Sequence, residues 1–208
     1  MNDALPTAVP TTMRAVVARR YGGPERLGLD ELTPRSPESD EVLIEVAASS
    51  LNALDWHMAT GTPYFLRLSA GLRRPKRIVL GADVAGTVVA VGPDVTEYSV
   101  GDRVFGETEG GGFAEFCVTS QAKIARLAHD VPFEVAAATP VAGLTALQGL
   151  HTRADLQAGE SVLINGAAGG VGTMAVQIAV AAGADVTAVC STRNVEMVQR
   201  LGAGKVVD

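Results

Sequence analysis

Ser161–Gly172 reads SVLINGAAGGVG. Val162, Leu163 and Ile164 form a short aliphatic run suited to a parallel strand buried on both faces. Gly166 and Gly169 permit a tight turn, and Gly172 lacks a side chain where the following helix must pack closely on the strand. The first N–H groups of a helix have no intrahelical partner, so a turn of this kind presents them to an anion such as a dinucleotide's pyrophosphate. The backbone of Ala168, Gly169, Gly170 and Val171 would line that anion. The helix is predicted from about Gly170 to Ala182, apolar on nearly every side through Met174, Val176, Ile178 and Val180, with Gly183 as its C-terminal cap. The pattern departs from GxGxxG in placing Ala167 where the first glycine belongs, and an ordinary strand-turn-helix is the alternative reading.

The next predicted strand, Asp185 to Cys190, narrows the choice. Its end should carry the residue that reads an adenosine ribose, and a chain that binds NAD usually has an acid there. This chain has Ser191, Thr192 and Arg193 instead. Two hydroxyls and a guanidinium are partners for a 2′-phosphate, so the expected cofactor is NADPH, with NADH the weaker ligand. A solvated arginine at a helix start is the alternative for Arg193.

Upstream the texture changes to short alternating runs separated by turn residues, the mark of a β-rich domain. Strands are predicted at Arg14 to Arg19, Glu41 to Ala48, Gly86 to Val91, Arg103 to Gly106, Phe113 to Thr119 and Ile124 to Leu127. Gly22-Gly23-Pro24, Gly92-Pro93-Asp94 and Gly110-Gly111-Gly112 punctuate them. An alanine-rich stretch of helical pieces broken by Pro140 then leads into the strand at Ser161, and the domain boundary is expected near Asp130. Residues 1–12 read as a disordered lead-in, 13–130 as the β-rich domain and 131–208 as the dinucleotide-binding part.

Composition bounds the partners. The 208 residues are 47% hydrophobic, enough for one large or two small cores. A net charge of −6 argues against nucleic acid, although Arg67, Arg73, Arg74, Lys76 and Arg77 form a local basic run that reads as a solvated loop. No apolar stretch approaches a bilayer span and no cationic start precedes an apolar core, so no membrane partner is expected. The only cysteines, Cys117 and Cys190, lie inside apolar runs, which fits a reducing cytoplasm.

Several segments in order carry a family resemblance: SSLNALDWHMATG at Ser49 to Gly61, VLGADVAGTVVAVG at Val79 to Gly92, VGDRVFG at Val100 to Gly106, GGFAEF at Gly111 to Phe116 and TPVAGLTALQGL at Thr139 to Leu150. With the glycine loop, they make the chain resemble the medium-chain dehydrogenase/reductases, and within them the zinc-free quinone-oxidoreductase-like members. The resemblance implies an α/β protein: a GroES-like barrel followed by a Rossmann doubly wound parallel sheet, with the active site between them. It implies hydride transfer between NADPH and a quinone, enone or related carbonyl compound. It also implies that Asn52 approaches nicotinamide and substrate as a hydrogen-bond donor, that Thr145 contacts the cofactor, and that homodimers are usual.

Zinc-dependent relatives place a histidine and a glutamate directly after the glycine that Gly81 matches; this chain has Ala82 and Asp83. The cysteine of their active-site loop is replaced by the Asn52 to Asp55 segment, and the four-cysteine lobe is missing. His57, His129 and His151 have no thiolate or second histidine at ligand spacing, so no zinc is expected. Only two strand-helix pairs and a third strand from Lys205 follow the barrel, where a full domain has about three more strands, so the chain reads as the first part of such a protein, lacking the usual dimer edge. Three readings remain open: the quinone or enone reductase, an alcohol dehydrogenase or enoyl reductase on the same scaffold, and a truncated, catalytically silent NADPH-binding or interaction protein.

Overall fold

The structure, a computed structural model, describes residues 9–208. The expected lead-in falls largely on residues 1–8, outside the described residues; residues 9–12 are exposed and belong to no helix or strand. The described residues form two compact units, residues 9–140 and 141–208.

The first unit is β-rich. Strands β1 (Met13–Ala18) and β2 (Leu27–Leu32) pair antiparallel. Strands β3 (Glu41–Ala48), β4 (Asp83–Val91), β5 (Arg103–Glu107), β6 (Phe116–Ser120) and β7 (Ile124–Arg126) form an antiparallel sheet in the order β6-β3-β4-β5-β7. Alternation along β3, β4 and β5 sends Val42, Ile44, Val84, Val88 and Val104 into one core with Cys117 and Ile124. Between β3 and β4 come α1 (Ala53–Thr60) and the single turn α2 (Arg67–Ala70). The helix α3 (Phe133–Ala137) puts Ala136 and Ala137 against Ala85 and Leu127. That apolar seam carries the compact unit past Asp130, the boundary suggested by composition.

Three strand readings are adjusted, the first being β4, which begins at Asp83 rather than Gly86. β2 escapes the alternation rule because all six of its residues, LGLDEL, stay partly or wholly in water, leaving no buried stripe to read. β6 begins at Phe116 rather than Phe113, because Gly111, Gly112 and Phe113 turn back to bond the backbone of Leu80 and Gly81.

The second unit starts with α4 (Pro140–Leu147), whose last turn widens into a π-turn over Gln148–Arg153. Then β8 (Ser161–Asn165), α5 (Gly170–Ala181), β9 (Asp185–Val189), α6 (Val195–Arg200) and β10 (Lys205–Val207) alternate. The three strands are parallel in the order β10-β9-β8, as two successive βαβ crossovers require. Ile164, Val186 and Ala188 are buried against Val176 and Ala179 of α5 and Val198 of α6. The opposite face carries Leu163, 66% exposed, and Val207. The expected fold class, a β-rich first domain followed by the opening of a doubly wound parallel sheet, is what the chain forms.

Candidate active site

Two constellations stand out, one in each unit. In the second, the glycine turn has the shape its spacing predicts. Gly166 adopts φ +72°, a left-handed conformation that a side chain disfavours. A Cβ added at Gly172 would meet the Gly166 carbonyl oxygen at 2.2 Å and Ala167 Cα at 2.7 Å, so the start of α5 lies on the strand-end backbone. Gly169 caps α5 with extended backbone, and its carbonyl takes the first helical bond, from Thr173 N at 2.8 Å. No acid lies in the first turn. Gly170 and Val171 are exposed, Ala168 half-buried, and a Cβ at Gly170 would touch only Ala142 of α4, at 4.0 Å. A pyrophosphate fits this open, donor-rich helix start, with its partial positive charge and no competing carboxylate.

Thr145 sits exposed on α4, but its hydroxyl donates to the Val141 carbonyl at 2.6 Å, one turn back. It therefore meets a cofactor as an acceptor only. At the end of β9, Ser191 accepts from Asn194 Nδ2 at 3.1 Å and Thr192 donates to the Asp208 carboxylate. Of the two hydroxyls expected for a 2′-phosphate, Thr192's is thus already engaged, and it brings an acid close by. Arg193 is exposed and makes no ion pair among the described residues.

In the first unit, Asn52 stands at the N-terminus of α1. The Asp55 carboxylate reaches back to accept from Asn52 N at 2.8 Å and across to accept from Gly81 N at 3.0 Å, tying α1 to the segment before β4. Gly81 has φ +97°, and a Cβ there would lie 2.6 Å from Phe113 N. Directly beyond, Asp83 is fully buried, and one of its carboxylate oxygens accepts from Ser50 Oγ at 2.5 Å and from Asn52 Nδ2 at 2.9 Å. Asn52 Nδ2 also lies 3.1 Å from Ser50 Oγ.

Those three distances form a triangle, in which the two acceptors subtend roughly 50° at Nδ2. The two protons of a planar amide diverge by about 120°. One proton is therefore shared between Ser50 and Asp83, and the other remains for a ligand. Asn52 lines a cavity of about 390 Å³ whose other walls include Pro24, Leu27, Leu51, Trp56 and Phe113. This is a largely apolar pocket whose polar side chains are Asn52 and the buried Asp55, a composition common in small-molecule sites.

Burial pushes the Asp55 carboxyl above the ordinary aspartate range; backbone hydrogen bonds from Asn52, Gly81 and Ala82 oppose that shift and the neighbouring Asp83 reinforces it. Asp83 and Ser50 are the site residues that sequence reading missed. The available signal was an aspartate inside the apolar run VLGADVAG, where a buried carboxylate needs dedicated partners. Among the described residues no group of three histidines, cysteines or acids is placed to hold a metal ion.

Residues 38–131 match the family described as the alcohol dehydrogenase GroES-like domain. The chain is 39% identical over 206 residues to a chloroplast envelope quinone oxidoreductase homolog of Arabidopsis thaliana, covering 94% of this chain and 61% of the relative. It superposes on the CurK enoyl reductase with a TM-score of 0.85 at 35% identity, over 95% of this chain and 59% of that one. A mycobacterial protein solved in complex with NADPH gives a TM-score of 0.82 at 31% identity, over 94% and 58%. The chain thus spans about three-fifths of the length of these relatives.

Proposed function

We propose, for a chain that belongs to the quinone-oxidoreductase-like branch of the medium-chain dehydrogenase/reductase superfamily, that it binds NADPH and serves zinc-independent hydride transfer to a quinone, enone or related carbonyl compound. The observation that carries this reading is the glycine turn at the start of α5, where the contact of Gly172 with the Gly166 carbonyl leaves the helix N-terminus open to a pyrophosphate. The similarity to a protein solved with NADPH supports it.

The roles divide by residue. The backbone of Ala168, Gly169, Gly170 and Val171 holds the pyrophosphate, and Arg193 with Ser191 takes the adenosine 2′-phosphate. The nicotinamide, when bound, supplies the hydride. Asn52, its amide plane fixed by Ser50 and Asp83, offers its second N–H to the oxygen of the acceptor as negative charge develops there. The apolar walls of its pocket exclude water and accept a planar hydrophobic substrate. Polarisation needs no metal in this scheme, and Asp83, where zinc-dependent relatives carry a ligand, is already engaged by Ser50 and Asn52.

The test is calorimetric titration of NADPH and NADH into the chain and into Arg193→Ala. A charged hydrogen bond contributes about 1.5–3 kcal/mol, so the variant is expected to bind NADPH about ten- to a hundredfold more weakly and NADH nearly unchanged. Equal weakening of both would overturn the NADPH assignment. Turnover assays with a quinone, an enone and a simple alcohol then separate the chemistries. An enoyl reductase is the second reading, favoured by the likeness to CurK; tight NADPH binding with no acceptor turned over would instead mark a cofactor-binding module.

A further inference from the structure

The segment from Pro63 to Arg77, PYFLRLSAGLRRPKR, belongs to neither site above and combines two features that seldom coincide on a soluble surface. Four large apolar side chains stand in water: Tyr64 at 72% exposure, Phe65 at 69%, Leu68 at 76% and Leu72 at 68%. Interleaved with them are Arg67, Arg73, Arg74, Lys76 and Arg77, and no acid occurs anywhere between Asp55 and Asp83. In a chain with a net charge of −6 this is a marked segregation of charge.

The cations are concentrated in space as well as in sequence. Arg19, Arg20, Arg67, Arg73, Arg74 and Lys76 line one open concavity, with Leu72 on its wall. Arg19 pairs with Asp30, and Arg77 with Glu109. Arg67 is a structural fixture: it donates to the carbonyls of Gly61 at 2.9 Å and Thr60 at 3.2 Å and lies over the rings of Tyr21 and Tyr64 at 4.4 and 4.8 Å. Arg20, Arg73, Arg74 and Lys76 have no acidic partner among the described residues. The Tyr21 hydroxyl anchors the loop by donating to the Gly71 carbonyl at 2.6 Å.

We propose that this segment docks the protein on an anionic lipid surface, with Arg20, Arg73, Arg74 and Lys76 among the headgroups and Phe65, Leu68 and Leu72 in the boundary with the acyl chains. An interfacial segment needs both features: basic residues supply long-range attraction to anionic lipid, and exposed aromatic and leucine side chains supply the area that enters the interface. A nucleic acid would satisfy the cations and leave the apolar side chains in water. No helix among the described residues is long and apolar enough to cross a membrane, so the association is peripheral. The basic run read by itself suggests a solvated loop; the exposed Tyr64, Phe65, Leu68 and Leu72 beside it add the apolar area that an interfacial segment needs.

The test is co-sedimentation of the 208-residue chain with vesicles of phosphatidylcholine alone and of phosphatidylcholine with about one-third phosphatidylserine. Binding is expected to the anionic vesicles only and to fall with added salt. The triple variant Arg73→Ser, Arg74→Ser, Lys76→Ser should weaken it roughly a hundredfold, at about one kcal/mol for each cation near the surface. The double variant Phe65→Ser, Leu68→Ser keeps every charge and should weaken it at least tenfold while leaving retention on a heparin column unchanged. No binding to anionic vesicles overturns the proposal. So does vesicle binding that the double variant leaves intact, which would identify a general polyanion or acidic-protein surface instead. These readouts involve no cofactor, so they stand or fall separately from the assignment of NADPH.

Discussion

Asn52 and Asp55 lie three residues apart and do opposite things with their hydrogen bonds. Asn52 keeps one donor uncommitted because Ser50 and Asp83 crowd the other. Asn52→Ala removes it and should lower kcat with the best acceptor by about a hundred- to a thousandfold, the usual cost of a lost donor to a developing oxyanion, with NADPH affinity unchanged; stopped-flow single turnover checks this. Asp55 is buried, and its acid form is favoured in the folded chain. A folded pKa above the unfolded one means the native state holds more protons than the unfolded state, so stability falls as pH rises from about 4 through the raised value. In Asp55→Asn that dependence is absent. The parent's stability relative to the variant, measured by urea unfolding at a series of pH values, should therefore decline with increasing pH across that window, whatever the constant offset between them. A flat difference would contradict the direction of the shift.

Among the elements, α5 and its turn were fully legible, because glycine spacing encodes backbone geometry directly. Gly166 needs a left-handed conformation and Gly172 a bare Cα, and no other residue supplies either without strain. Gly172→Ala drives a methyl group into the Gly166 carbonyl and should destabilise the second unit by ~1–3 kcal/mol while abolishing measurable NADPH binding, as thermal melts with and without cofactor would show. The buried strand β3 was legible for a related reason, since Val42, Ile44 and Val46 alternate along it, whereas β4 was read only from Gly86 because Asp83 interrupts its apolar run. β2 was not, because an exposed strand owes its place to pairing with β1 rather than to a pattern of its own. Asp83 was illegible as a site residue for the same kind of reason: its role lies in contacts with Ser50 and Asn52, more than thirty positions away, and residue type alone cannot report a partner so distant in sequence. The hydroxyl of Thr192, readable as a phosphate ligand from position, is diverted by Asp208, which the parallel pairing of β10 with β9 brings alongside.

On the scale of the whole molecule, apolar surface is distributed unevenly. α5 and α6 cover one face of the parallel sheet, while Leu163 and Val207 emerge on the other. Large apolar side chains exposed on a sheet face favour self-association. Leu163→Ser should raise the monomer fraction of the 208-residue chain in sedimentation velocity and leave its melting temperature nearly unchanged, since the side chain contributes little burial where it is. The polar cluster beneath Asn52 has a consequence of another kind. Ala82 is buried and Asp83 fully so, and Asp83 is clamped by two neighbours from the loop before α1. Installing a histidine and a glutamate at these positions would overfill the core and break the clamp at once, and each change made singly would pass through a damaged intermediate. The buried carboxylate therefore couples positions far apart in sequence: a substitution at Ser50, Asn52 or Asp83 is felt at the other two, and the start of β4 and the loop before α1 respond as one unit.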